Sequence, residues 1–100
     1  MNIKAKERGK AILFTGTNYE EVMDTFDLEP ILRERFGTEI RSATLAAYTQ
    51  DARHNVGPVF GRRGELVRVV RNQYAVVTNL GVFVLEQQDF NELFEEDLTI

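Results

Sequence analysis

Ser42 is the only serine and His54 the only histidine in a chain without cysteine. A Ser–His pair would be the minimum for nucleophilic hydrolysis. However, no nucleophile elbow surrounds Ser42, and no cysteine can take its place. One imidazole cannot build a zinc site, which needs several His or Cys ligands. Carboxylates are plentiful, as in Glu20/Glu21 and Glu95/Glu96. Adjacent residues on a helix do not face each other, so these pairs are poor acid–base dyads and read as solvated faces. The glycine-rich run Gly57-Pro58-Val59-Phe60-Gly61-Arg62-Arg63-Gly64 lacks the preceding strand and the Gly-Lys-Ser/Thr end of a phosphate loop. The expectation is a protein that is not an enzyme and uses no metal or cofactor.

The remaining chemistry is cationic. Arg53, His54, Phe60, Arg62, Arg63, Arg68 and Arg71 fall within nineteen residues, with Glu65 as the single acid among them. Guanidinium forks suit carboxylate and phosphate partners. These seven residues are the candidate partner-binding set. The favoured partner is an acidic protein surface. Nucleic acid or a phosphorylated ligand is the second reading, disfavoured by a net charge of −4 and a pI near 5.0.

The charges are segregated. Lys4, Lys6, Arg8 and Lys10 make the N-terminus basic. Glu20, Glu21, Asp24, Asp27 and Glu29 make an acidic block, and Glu86, Asp89, Glu92, Glu95, Glu96 and Asp97 make another. Such blocks either face each other in the fold or form solvated and steering surfaces.

The elements that must position these residues follow from periodicity. One hundred residues predict one domain with a modest core. No apolar run reaches the roughly 18 residues that span a bilayer, and no apolar segment follows the basic N-terminus as in a secretory signal. The absence of cysteine is compatible with a reducing compartment. Lys10 to Thr15 reads as a strand. Asn18 and Glu21 have capping-box spacing, and Tyr19, Val22, Met23 and Phe26 form one helical stripe. Asp27 to Phe36 reads as a second helix, with Pro30 in its first turn and Gly37 as its stop. Thr38 to Thr49 fits a strand by alternation or a short helix by its alanines. Gln50 to Gly64 reads as a long flexible basic loop.

Glu65 to Glu95 is the densest stretch. Leu66–Val70, Tyr74–Thr78 and Val82–Leu85 read as three strands of an antiparallel meander, with turns at Asn72-Gln73 and Asn79-Leu80-Gly81. Asp89 and Glu92 then have the spacing of a cap for a closing helix, with Phe90, Leu93 and Phe94 facing inward. The fold class is α+β: a small antiparallel sheet of three to five strands carrying two or three short helices. Exposed strand edges in such a sheet can also pair between subunits.

The two ends of the chain resemble small phage and prophage proteins of the PGDYG type. The resemblance rests on Ala11-Ile12-Leu13-Phe14-Thr15-Gly16-Thr17-Asn18 with Glu20-Glu21-Val22, and on Tyr74-Ala75-Val76-Val77, Gly81, Phe83, Asp89-Phe90 and Phe94-Glu95. It departs from that pattern at Arg71-Asn72-Gln73, where those proteins have Pro-Gly-Asp. It departs again at Gln87-Gln88, where they place a proline. Residues 27–64 have no counterpart. The resemblance implies context: a virus-encoded accessory protein acting in the cytoplasm of a bacterial host. The leading expectation is that it acts non-enzymatically by binding a host protein or complex, for example as an inhibitor of a defence or transcription machine. A self-assembling virion component is the alternative.

Overall fold

The computed structural model describes residues 8–37, 41–54 and 57–94; for Arg41, Ser42, Arg53 and His54 only the helical backbone is described. The elements run β1 (Gly9–Leu13), α1 (Tyr19–Thr25), α2 (Glu29–Phe36), α3 (Arg41–His54), β2 (Val59–Arg62), β3 (Glu65–Arg68), β4 (Gln73–Thr78), β5 (Gly81–Glu86) and α4 (Gln87–Leu93). The class is α+β, as expected. Five antiparallel strands divide into a three-stranded sheet, ordered β1-β4-β5, and the hairpin β2-β3.

This division corrects the meander. β3 does not pair with β4; it pairs with β2, while β1 takes that edge of β4. The reason lies just past β3. Val69 is buried and its N–H donates to Pro58 O at 3.0 Å, so the chain is still tied to the β2 side when it turns. Asn72, at φ 72°, then reverses it into β4. Asn72 N–H donates to Phe14 O and Phe14 N–H to Gln73 O, which zips β4 onto β1 from the turn onward.

The expected loop over 50–64 is also corrected. Gln50–His54 is the last part of α3, and Val59–Arg62 is a strand. Its glycines mark close backbone approach. A Cβ on Gly57 would meet Val69 O at 1.8 Å, and one on Gly61, at φ +145°, would meet Glu65 O at 2.1 Å. The open reading of 38–49 resolves to helix from Arg41; residues 38–40 lie outside the described residues. Its inward row is Thr44, Tyr48 and Ala52, at i, i+4, i+8.

The two N-terminal helices follow the sequence stripes. Val22 and Met23 of α1 and Leu32 of α2 are buried, as is Leu28 just before α2. Gly37 ends α2 in the left-handed region with its N–H on Arg33 O. Neither expected side-chain cap forms. Asn18 precedes α1, but its amide turns back to the end of β1. α4 begins at Gln87, two residues before Asp89, so Asp89 sits inside its first turn.

The core joins both sheets to the helices: Ile12, Phe14, Val22, Met23, Leu28, Leu32, Tyr48, Val59, Phe60, Val69 and Ala75. Tyr48 ties α3 to β2, donating its hydroxyl to Val59 O at 2.8 Å in a buried setting. Burial pushes this phenol well above its ordinary range; the nearby Arg68 charge opposes the shift, and Tyr19 and Asp51 add to it. Because the folded state resists ionisation, the unfolded chain loses this proton first, from about pH 10 upward. Stability present below that pH therefore declines above it, by up to about 1.4 kcal/mol per pH unit for this one group. Tyr48→Phe is expected to cost about 1–2 kcal/mol at neutral pH, through the buried acceptor it strands. It should also flatten the decline above pH 10. Urea unfolding at pH 7, 9 and 10.5 checks both.

Candidate functional site

The seven candidate residues do not form one patch. Arg53 and His54 end α3, and their side chains lie outside the described residues. Ser42 and His54 share that helix, twelve residues or roughly 18 Å apart along its axis, so they do not pair. Phe60 is corrected from a contact residue to a core residue: it is fully buried, its ring 5.3 Å from that of Phe26. It stands in a run of glycines and arginines, Gly57 to Gly64, which makes it look like loop surface. The signal that places it inside is its membership of a β2 strand that is buried on both faces.

The arginines separate by register. Arg62 pairs with Glu65 at the turn end of the β2-β3 hairpin, whereas Arg68 pairs with Val59 at the other end, on the opposite face. Arg68 donates to Gly57 O, holding the chain that enters β2. Arg71 donates its Nε to Thr15 O at 3.2 Å and lies over Gly16, where a Cβ would come within 2.5 Å of that Nε. Both of these side chains are used in joining segments of the fold.

Arg62 and Arg63 remain at the surface. Arg62 meets Glu65 at 3.0 Å and Arg63 meets Glu34 of α2 at 3.4 Å, with the Arg63 side chain 74% exposed. Ion pairs this exposed contribute about 0–1 kcal/mol, so either guanidinium can exchange its partner at little cost.

The neighbours of this turn come from a distant part of the chain. A Cβ placed on Gly81 would lie 3.7 Å from both Glu65 Oε1 and Phe83 Cζ. The start of β3 and the start of β5 therefore lie close together, with the Phe83 ring edge near the same point. Leu80, at the tip of the second turn, is 77% exposed, and Phe83 is 39% exposed. Phe83 stands on the outer face of the three-stranded sheet, opposite Val76 in register. The surface at this meeting is thus Glu65, with Arg62 paired to it, beside Gly81 and Phe83; Leu80 precedes Gly81 in the turn, and Arg63 follows Arg62 and reaches toward Glu34 of α2. The signal for it was Leu80 within Asn79-Leu80-Gly81, a large apolar residue where turns are usually polar.

The other end of that outer face is covered. Phe90 of α4 stacks on Tyr74 with ring centroids 3.8 Å apart and planes 7° apart, and Phe94 follows at 5.5 Å. Leu93, expected inward, is 55% exposed. Elsewhere a shallow open depression is lined by Thr17, Asn18, Glu20, Glu21, Asp24 and Thr25. No group of three or more His, Cys, Asp or Glu among the described residues is placed to hold a metal ion, and none of their helices is long and apolar enough to cross a membrane.

Family models, curated proteins and solved structures offer no match to this chain.

The division between core and surface predicts unequal costs of truncation. Phe60→Ala is expected to lose about 3–5 kcal/mol, as for a buried aromatic. Arg62→Ala and Arg63→Ala should each stay within about 1 kcal/mol of the parent. Urea midpoints of the three variants measure this directly.

Proposed function

We propose that this chain is a non-enzymatic protein-binding module, and that its contact surface is the composite of Arg62, Arg63, Leu80 and Phe83. The observation that carries the reading is the meeting of the two turns. It sets Glu65 and its exposed partner Arg62 beside Gly81 and Phe83, with Leu80 and Arg63 the exposed residues adjoining them in sequence. Interface centres favour aromatic and Arg side chains over Lys and Glu. The complementary partner carries carboxylates around an apolar spot. The two-sided chemistry favours a protein over nucleic acid, for which Leu80 and the paired Glu65 are poor neighbours. The resemblance of the chain ends to PGDYG-type phage proteins supplies the setting: an accessory protein in a bacterial cytoplasm, bound to a host protein or complex.

The test is capture of partners from bacterial lysate by the tagged chain and by two variants, Arg62→Glu/Arg63→Glu and Leu80→Asp. Leu80 is far enough exposed that its change should leave folding intact. Each variant is expected to reduce capture of the same partner by at least about tenfold, the effect of losing roughly 1.4 kcal/mol. Equal recovery by all three proteins would sink the reading. Retention on random-sequence DNA at low salt, falling steeply as salt rises, would favour nucleic acid instead.

A further inference from the structure

The outer edge of β1 carries a second surface, whose Gly9 end lies beside Thr78, just before the turn that bears Leu80. Gly9, Lys10 and Ala11 are exposed, and among the described residues β1 is the terminal strand of its sheet, with β4 on one side only. Phe14 donates its N–H to Gln73 O of β4, and its C=O accepts from Asn72 N–H in the turn just before β4. By alternation Ile12 also turns its backbone groups toward β4, while those of Ala11 and Leu13 turn outward.

Asn18 closes this edge at one end. Its amide oxygen accepts from Thr15 N–H at 2.8 Å and from Thr15 Oγ1 at 3.0 Å, and its Nδ2 donates to Leu13 O at 3.0 Å. A single side-chain amide thus pairs with the C=O of one outward residue and the N–H of the next, as a residue of a neighbouring strand would. Any added strand must therefore end at Leu13. What stays open among the described residues is the short run from Gly9 to the N–H of Leu13, whose C=O Asn18 already occupies.

That run is complementary to its own antiparallel copy about Ala11. Ala11 falls opposite Ala11, Gly9 opposite Leu13, and Lys10 opposite Ile12. The large Leu13 side chain thus meets the residue that has none. The Lys10 ammonium faces an aliphatic partner, and no like charges are opposed. A lysine on an edge strand normally discourages pairing; in this register it does not.

We propose that two copies of this chain associate through β1, antiparallel and centred on Ala11, to form one continuous six-stranded sheet. The partner surface is a second copy rather than a foreign peptide, because the usable edge is short, is bounded by Asn18, and matches its own sequence in size and charge. Such an interface is smaller than the roughly 1,200 Å² of a standard stable complex, so association is weak and concentration-dependent. Phe83, on β5 at the far edge of each three-stranded sheet, stays uncovered, while Leu80 lies nearer, in the turn after Thr78, the partner of Gly9. The dimer therefore stands or falls independently of the partner reading.

The chain has no cysteine, so Ala11→Cys places one thiol at the two-fold axis. A hydrogen-bonded antiparallel pair holds its Cα atoms about 5.5 Å apart, within the range a disulfide spans. Under mild oxidation Ala11→Cys is expected to form covalent dimer about tenfold faster than Leu80→Cys at equal concentration, because pairing raises the effective thiol concentration. Sedimentation of the unmodified chain should show mass rising with concentration. Ala11→Pro removes an outward N–H and no bond within the chain, so it should remain monomeric with an unchanged circular dichroism spectrum. If it unfolds, Ala11→Glu sets two carboxylates face to face and serves instead. A strictly monomeric parent up to about 1 mM, a concentration at which even millimolar affinities show, overturns the proposal. So does Ala11→Cys linking no faster than Leu80→Cys. A parent dimer that survives both Ala11 variants would place the interface elsewhere and overturn it as well.

Discussion

The hydrogen bond from Tyr48 to Val59 O is the tie on which the arrangement depends. β2 has only four residues and is buried on both faces, so its carbonyl groups have no water to turn to. Tyr48 answers one of them from α3, and Pro58 O is answered by Val69 N–H. With β2 held in this way, Phe60 can stand against Phe26 of the α1–α2 corner while Val59 packs into the same core. The β2-β3 hairpin is therefore a central layer of the molecule, and its turn is the only part of it that reaches solvent freely. This is why the functional weight of the arginine segment contracts to Arg62 and Arg63.

Strands and helices were legible where side chains repeat with a clear period. Tyr19, Val22, Met23 and Phe26 marked α1, and the valines of β4 and β5 marked their hairpin. Strand pairing was not legible, because a period of two identifies a strand without naming its neighbour. β1 and β4 come from opposite halves of the chain, and only the Val69–Pro58 bond reveals that β3 is already taken. The run from Gly57 to Gly64 misled for a related reason. Glycine signals either mobility or backbones too close for a Cβ, and composition does not distinguish them. Asn18 and Asp89 had cap spacing, but a cap requires the side chain to have no better use. Asn18 finds one at the end of β1.

Of the candidate site, the charge was legible and its deployment was not. Four arginines close in sequence suggested one patch, yet strand alternation sends Arg62 and Arg68 to opposite faces. Arg68 and Arg71 each answer a main-chain carbonyl, which a guanidinium on a long aliphatic stem does well at a partly covered surface. Leu80 and Phe83 complete the composite surface only because the β2-β3 and β4-β5 turns converge on Gly81, a tertiary fact with no local trace in the sequence.

The three-stranded sheet has two edges of different character, and the difference is physical. At β5 the neighbouring hairpin approaches, so that edge is shielded and its outer face supplies Phe83. At β1 no described element adjoins the outer side. The shielding there is chemical: one asparagine amide ends the ladder, and Lys10 discourages strands that would oppose it with another cation. A small α+β fold must manage each open edge or aggregate through it. Limiting the open run to Gly9–Leu13 keeps any pairing short, antiparallel and finite, since a two-fold pair consumes both edges and leaves none to propagate.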